Sequence, residues 1–406
     1  MVKHTTRARR SRSLLALLLT LGLLAGCAQT ADDPGGDTTT TSGDTTTTSE
    51  ETTATTGDPG AGGGYPSEDF WAGFEEIPQD LSSSEPVDTS EFEKPADQRL
   101  RIAFADSSQS NSLRVMARGS VEYGISLVDG AGAELIYTNA NDSAPEQIGN
   151  IDDMLTQQVD ALIVSAVDVN AICPAIDQAL AAGVPVIVME RAVECVNFTA
   201  FVSQDVINIA ENQAAYVAYR LGGEGKIAII SGIPGVGHSV ESEQGYQNIL
   251  DQYPDIEVVA TEYAMYDPAT ARQVAESLLV AHPDLDAFLS ASALMSDGIF
   301  QAAEAAGKVD QLLAWTGDDN NAWMRLAVNN DLPNMSVPYP VEVGQKSVEV
   351  AVAILRGEPV DRVTYTERPE GPVAFSRNLA NYINPDRPDE WFYTTMPCEF
   401  DPFCEE

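Results

Sequence analysis

Residues 159–195 read VDALIVSAVDVNAICPAIDQALAAGVPVIVMERAVEC, and their order decides the fold. The stretch opens with an apolar run from Ala161 to Ala166, too short for a helix and set between Asp160 and Asp168. Such a run reads as a parallel strand buried on both faces. Ile172, Ile176, Ala179 and Leu180 then recur at helical spacing, with Pro174 in the first turn and Gly183 at the end. A second apolar run, Val184 to Met189, delivers Glu190 and Arg191 at its carboxyl end. Strand, helix and strand form a βαβ unit, and open α/β sheets bind ligands beyond the carboxyl ends of their strands. Glu190 and Arg191 are therefore the first candidates for a binding site.

The pattern occurs twice. Arg101 to Ala105 recurs as Lys226 to Ile230, Asp160 to Ala166 as Asp286 to Ser292, and, more loosely, Val186 to Met189 as Leu312 to Trp315. The spacing stays at 125 to 126 residues, so the register holds across three strands. Helical patterning fills 113–128, 208–221, 270–281 and 296–306 between them. The expected fold is α/β, with two doubly wound Rossmann-like lobes. Hinged lobes of this kind place a ligand at their interface.

The N-terminus reads as an address. Lys3, Arg7, Arg9, Arg10 and Arg12 precede a short apolar core, Leu14 to Leu24, and small residues lead to Cys27. The core is too short to span a bilayer and carries the flanks of a signal peptide. Residues 1–26 are expected to be a cleaved signal, and 27–64, rich in Thr, Ser, Gly and Asp, a disordered tether of about 35 Å. Residues 65–98, where Tyr65, Phe70, Trp71, Phe74 and Phe92 return, read as a leader that docks on the body.

The chain carries 22 basic and 62 acidic residues, a net charge of −40. Losing the five basic residues of the signal leaves about −45. Such a surface repels polyanions, so nucleic acid and anionic membrane are excluded as partners. Besides Cys27 there are four cysteines, Cys173, Cys195, Cys398 and Cys404. An even count outside the cytoplasm points to disulfides; of three connectivities, Cys173–Cys195 and Cys398–Cys404 need the least rearrangement of the chain. No pair spacing of a zinc site occurs, and neither a metal nor a cofactor is expected.

The segments RIAFADSSQSNSL, VDALIVSAV, GVPVIVMER, GKIAIISG and AVAILRGEPV, in this order, resemble the type I periplasmic binding proteins of the ribose and rhamnose transporters. The Cys-Pro at 173–174 and the later Cys195 are especially similar to the autoinducer-furanose and rhamnose receptors. Leu24-Ala25-Gly26-Cys27 resembles a lipobox, which implies lipidation of Cys27. The resemblance implies a monomeric, extracytoplasmic, lipid-anchored protein that delivers a small sugar or polyol to an ABC permease. A receptor for a sensor or chemotaxis system is the alternative. It also implies chain crossings near Ser203, Pro338 and Val363. The lobes would then be 99–203 plus 339–362, and 204–338 plus 363–406 with a tail wrapping the body.

Carried over residue by residue, the implied ligand-binding set is Asn111 after the first strand, Glu190 and Arg191, Tyr266, and Asp319. A carboxylate accepts hydroxyl protons and a guanidinium donates to oxygens, which suits a polyol. The departures matter too. Leu113 and Arg114 stand where two aromatics belong, Ser292-Ala293 where an Asn-Asp pair belongs, and Pro338 or Tyr339 where a Gln belongs. Arg114 together with Arg191 admits a sugar acid as ligand. A hydrolase is a remote rival: Gly237-His238-Ser239-Val240-Glu241 approaches a nucleophile elbow but lacks its last glycine and sits beyond the strand.

Overall fold

The structure, a computed structural model, describes residues 74, 77, 79, 81, 84–368 and 379–404. All belong to a single unit spanning Gly62–Glu406. The expected signal, Cys27, the tether and 15 of the 34 leader residues lie outside the described residues.

Two sheets organise the body. The leader contributes β1 (Pro86–Val87), and the chain then runs β2 (Leu100–Asp106), α1 (Ser112–Ser126), β3 (Ala133–Asn139), α2 (Ala144–Thr156), β4 (Ala161–Val164), α3 (Cys173–Ala181), β5 (Val186–Met189) and β6 (Ala200–Ser203). It continues as α4 (Val206–Arg220), β7 (Glu224–Ser231), α5 (Gly237–Leu250), β8 (Asp255–Tyr263), α6 (Pro268–Ala281), β9 (Ala287–Ser290), α7 (Ala293–Ala306), β10 (Trp315–Gly317), α8 (Asn321–Asn329) and β11 (Asn334–Ser336). Helix α9 (Val343–Leu355) and strands β12 (Val360–Asp361) and β13 (Val363–Tyr365) follow. The first sheet is parallel, in the order β3-β2-β4-β5-β6-β13. The second runs β8-β7-β9, and a parallel bridge from Ala287 to Ala314 attaches the β10-β11 pair. Both lobes thus follow one doubly wound order. The four-residue runs of β4 and β9 are buried along their whole length, as strands covered by helices on both faces must be.

The third repeat needs a correction. Leu162 faces Val186 across β4 and β5, and the Ala287–Ala314 bridge gives the matching register in the second lobe. Val186 therefore corresponds to Trp315, not to Leu312. The second lobe inserts a 3₁₀ turn, Val309–Gln311, before the strand, which lengthens the connection. In this register Asp319 is the counterpart of Glu190.

The chain leaves the first lobe after β6 and turns at Asp205, whose φ of 60° starts α4 and whose carboxylate caps it through the Asn208 N–H at 3.3 Å. After β11 it returns to α9, which packs on α1. The expected division at Val363 is not where the chain divides: β13 pairs with β6 at the edge of the first sheet, because Phe201 N and Thr366 N take the ladder hydrogen bonds there at 2.8 Å each. The leader docks on both lobes. β1 pairs antiparallel with β12, and the backbone of Ile77 exchanges two 2.9 Å hydrogen bonds with the Asn212 amide of α4. Cys173 is bonded to Cys195 (Cα–Cα 5.4 Å) and Cys398 to Cys404 (Cα–Cα 5.1 Å).

Candidate functional site

The carboxyl ends of the two sheets face each other across a cavity of about 410 Å³, part of it open to solvent. Asn111, Arg114, Glu190, Arg191 and Tyr266 line it, joined by Leu113, His238, Ser292, Leu294, Asp318, Tyr339 and Phe392. The lobes touch at its rim: Val169 N donates to Gly235 O at 3.3 Å, and a Cβ on Gly237 would stand 2.5 Å from the Ala192 backbone N and O. Only glycine permits that approach.

The first-lobe side is built around one carboxylate. Asn111 caps α1 by accepting the Arg114 N–H at 3.1 Å, which leaves its side-chain nitrogen as the group offered to the cavity. Arg114 reaches across the sheet end and donates to Ser165 Oγ at 2.9 Å and to Glu190 Oε2 at 2.5 Å. Glu190 adopts φ 65° as the chain leaves β5, a left-handed conformation that non-glycine residues take at a cost. Its Oε1 accepts the Tyr339 hydroxyl at 3.0 Å and its Oε2 the Ser165 hydroxyl at 3.3 Å. Arg191 donates through Nη1 to Ala166 O at 3.2 Å, while its Nε, 3.6 Å from Glu190 Oε2, makes no hydrogen bond among the described residues.

The second-lobe side is aromatic and hydroxylic. Met265 and Tyr266 both take positive φ, 58° and 55°, to turn the Tyr266 ring over Gly232, where any Cβ would overlap it. The Tyr266 hydroxyl bonds Ser239 Oγ at 2.8 Å and His238 Nδ1 at 2.9 Å. The His238 ring stands edge-on to Tyr266 and Tyr339, with centroids 5.4 and 5.3 Å away. Ser239 thus bonds Tyr266 rather than His238, and the nucleophile-base contact a hydrolase needs is not formed.

Charge follows from burial. Burial acts to raise the Glu190 pKa, but Arg114 and then Arg191 more than offset it and hold the carboxyl down at about 2. Arg114 is shifted up: burial opposes its charge, and Glu190 and Asp106 outweigh burial. Arg191 is shifted down by burial and by Arg114, with Glu190 opposing. Burial takes His238 down to about 4, Glu190 opposing and the two arginines reinforcing, so it is a neutral imidazole at pH 7. Asp318 is pushed up to about 6 by burial, against the Ala293 and Asn320 N–H groups that bond it at 3.0 and 3.2 Å.

Asp319 does not take the place expected of it. It is buried beneath the cavity wall, where Oδ1 accepts the Tyr339 N–H at 3.1 Å and so holds the returning crossing. Its neighbour Asp318 lines the cavity instead, because side chains alternate in direction as a chain leaves a strand. Leu113, Ser292 and Tyr339 stand at positions where the sequence departs from the resemblance, so a signal for them existed. Leu294 and Phe392 had none.

A family profile described as a periplasmic binding protein domain matches residues 125–359, more than half of the chain. The chain belongs to the periplasmic binding protein family. The ribose import binding protein of Bacillus subtilis (strain 168) is 30% identical over 231 residues, which cover 57% of this binding protein and 74% of that relative. The structure of an ABC transporter solute binding protein from Bacillus halodurans C-125 with bound myo-inositol superposes with a TM-score of 0.64 at 25% identity, covering 71% of this chain and 99% of that one. The fructose binding periplasmic domain of a hybrid two component system gives 0.62 at 25% identity, over 66% and 89%. The family consists of extracytoplasmic solute-binding proteins rather than enzymes, and the two-lobed architecture of this binding protein is theirs.

Proposed function

We propose that this protein captures a small sugar or polyol between its lobes and delivers it to an ABC permease, working as a monomer held to the outer face of the membrane by a lipid on Cys27. One observation carries the ligand class: a partly open cavity on which donors (Arg191, Asn111, Ser292) and acceptors (Glu190, Asp318) converge from both lobes. Arg191 Nε is buried without a hydrogen-bond partner among the described residues, which is costly, and a polyhydroxylated ligand supplies an acceptor for it. The similarity to binding proteins for ribose and myo-inositol supports the reading. A thermal-shift screen over pentoses, hexoses, polyols and sugar acids tests it, because a ligand of the folded state alone raises Tm by mass action. A screen with no shift sinks it. Arg114 is neutralised by Glu190 while Arg191 keeps an unbonded Nε, so a preference for acids over neutral sugars would assign that nitrogen to a carboxylate.

The second reading is a receptor that presents its ligand to a sensor kinase, favoured by the likeness to the periplasmic domain of a two component system. Co-purification with a permease or with a sensor separates the two.

A further inference from the structure

The cavity has an apolar wall made of Leu113, Leu294 and Phe392, and Phe392 belongs to neither lobe's α/β repeat. It sits in the C-terminal segment, which is fastened to the second lobe before it and to the first lobe after it. On the second-lobe side, the Asn321 side chain donates to the carbonyls of Asn384, Arg387 and Pro388 at 3.0 to 3.1 Å. The first backbone N–H groups of α8 have no partner within the helix, and the segment supplies them: Asn321 N bonds Trp391 O at 2.8 Å and Ala322 N bonds Asp389 O at 3.0 Å. On the first-lobe side, Phe392 N meets Met116 Sδ at 3.3 Å, and Thr394 Oγ1 and Thr395 N donate to Glu342 Oε1 at 2.8 and 3.0 Å. The Phe400 carbonyl presses on α1 where Gly119 leaves no room for a Cβ. Within the segment, Trp391 Nε1 and Arg387 Nε converge on Asp401 Oδ2 at 3.1 Å each, fixing its turn.

We propose that residues 384–401 form a strap across both lobes and that Phe392, which the strap carries into the cavity, is a specificity-determining residue on which the carbon face of the ligand rests. The inference rests on the reading of the cavity as a polyol site. The two aromatics that the resemblance places in the loop after β2 are Leu113 and Arg114 here, so the aromatic surface they would supply is missing from the first lobe. Phe392, 1% exposed and packed on Leu113 and Leu294, provides a ring at that wall from outside the repeat. A ring of this kind favours ligands with contiguous C–H groups on one face.

Two measurements on the full chain test the proposal. Calorimetric titration with D-ribose, xylitol, myo-inositol and D-fructose is expected to find at least one ligand, with Phe392→Ala weakening it tenfold or more and Phe392→Leu weakening it less. Binding by Phe392→Ala within twofold of the parent overturns the specificity role. Amide exchange in the ligand-free protein reads the strap separately: the Asn321 N–H, which owes its partner to Trp391 O, is expected to exchange at least a hundredfold slower than exposed loop amides. Exchange at the exposed rate overturns the strap. A parent chain that binds none of the four probes removes the ligand role of Phe392 together with the polyol reading, whereas a slow Asn321 amide still upholds the strap.

Discussion

Arg114 and Glu190, 76 residues apart in the chain, form a buried ion pair at the base of the cavity, with both side chains 4% exposed. The pair joins the first turn of α1 to the end of β5, and Tyr339 ties the same carboxylate to the strand crossing that returns from the second lobe. A carboxylate that lines the cavity is thereby wired to a chain crossing between the lobes.

Removing one partner of such a pair leaves the other charge buried and unpaired. Arg114→Met is expected to cost about 3–5 kcal/mol of stability, read by urea denaturation. Adding Glu190→Gln to it is expected to recover most of that loss while binding stays abolished. Equal losses in the single and double variants would show that the pair is not coupled.

The same pair sets an acid limit. The folded-state pKa of Glu190, about 2, lies below its ordinary value of 4.5, so the unfolded chain takes up the proton first. The stability this group contributes is full above about pH 4.5 and is lost as pH falls toward 2. The parent-minus-Glu190→Gln stability difference, followed from pH 6 to pH 2.5, is expected to shrink on acidification.

Asp318 acts with the opposite sign. Its folded-state pKa of about 6 lies above the ordinary 3.8, so the folded protein holds the proton where the unfolded chain has released it. Its contribution is full below pH 3.8 and is lost as pH rises through 6, a change of about 3 kcal/mol. The stability of Asp318→Asn relative to the parent is therefore expected to improve between pH 4 and pH 6, measured as Tm across that range. A flat difference would place an ionised carboxylate there at all pH values.

Gly237 separates closure from folding. A side chain there meets the Ala192 backbone only when the lobes are together, and among the described residues its Cβ has Ala192 and Arg191 as its nearest contacts. Gly237→Val is expected to weaken ligand binding tenfold or more in calorimetry and to lower the Tm of the ligand-free protein by no more than a few degrees.

The Cys173–Cys195 bond ties the start of α3 to the loop leaving the Glu190 strand, across a separation of 22 residues. Loop-closure entropy gives it about 3 kcal/mol. The Cys173→Ala/Cys195→Ala protein is expected to lose that much in urea denaturation. Comparable affinity per folded molecule would show that the bond stabilises the lobe without shaping the cavity.

The sequence by itself determined the architecture, because buried parallel strands announce themselves locally. Ala161–Val164 and Val186–Met189 are continuous apolar runs, and their copies near residues 287 and 315 need no knowledge of packing to be seen. It also pointed to Glu190 and Arg191, which sit just beyond a strand's carboxyl end, while the resemblance supplied Asn111 and Tyr266 and marked Arg114 as a departure; all five line the cavity. What only the tertiary structure decided depends on direction and distance. Whether Asp318 or Asp319 faces the cavity turns on the direction each side chain takes as the chain leaves β10. That Arg114 meets Glu190, rather than leaving both charges to the ligand, depends on how α1 docks over β4 and β5. Phe392 carried no local signal at all: its place in the cavity is set by a tail whose hydrogen bonds reach 70 residues back to α8 and 276 residues back to α1, and contacts so distant in the chain are legible only once both lobes are built.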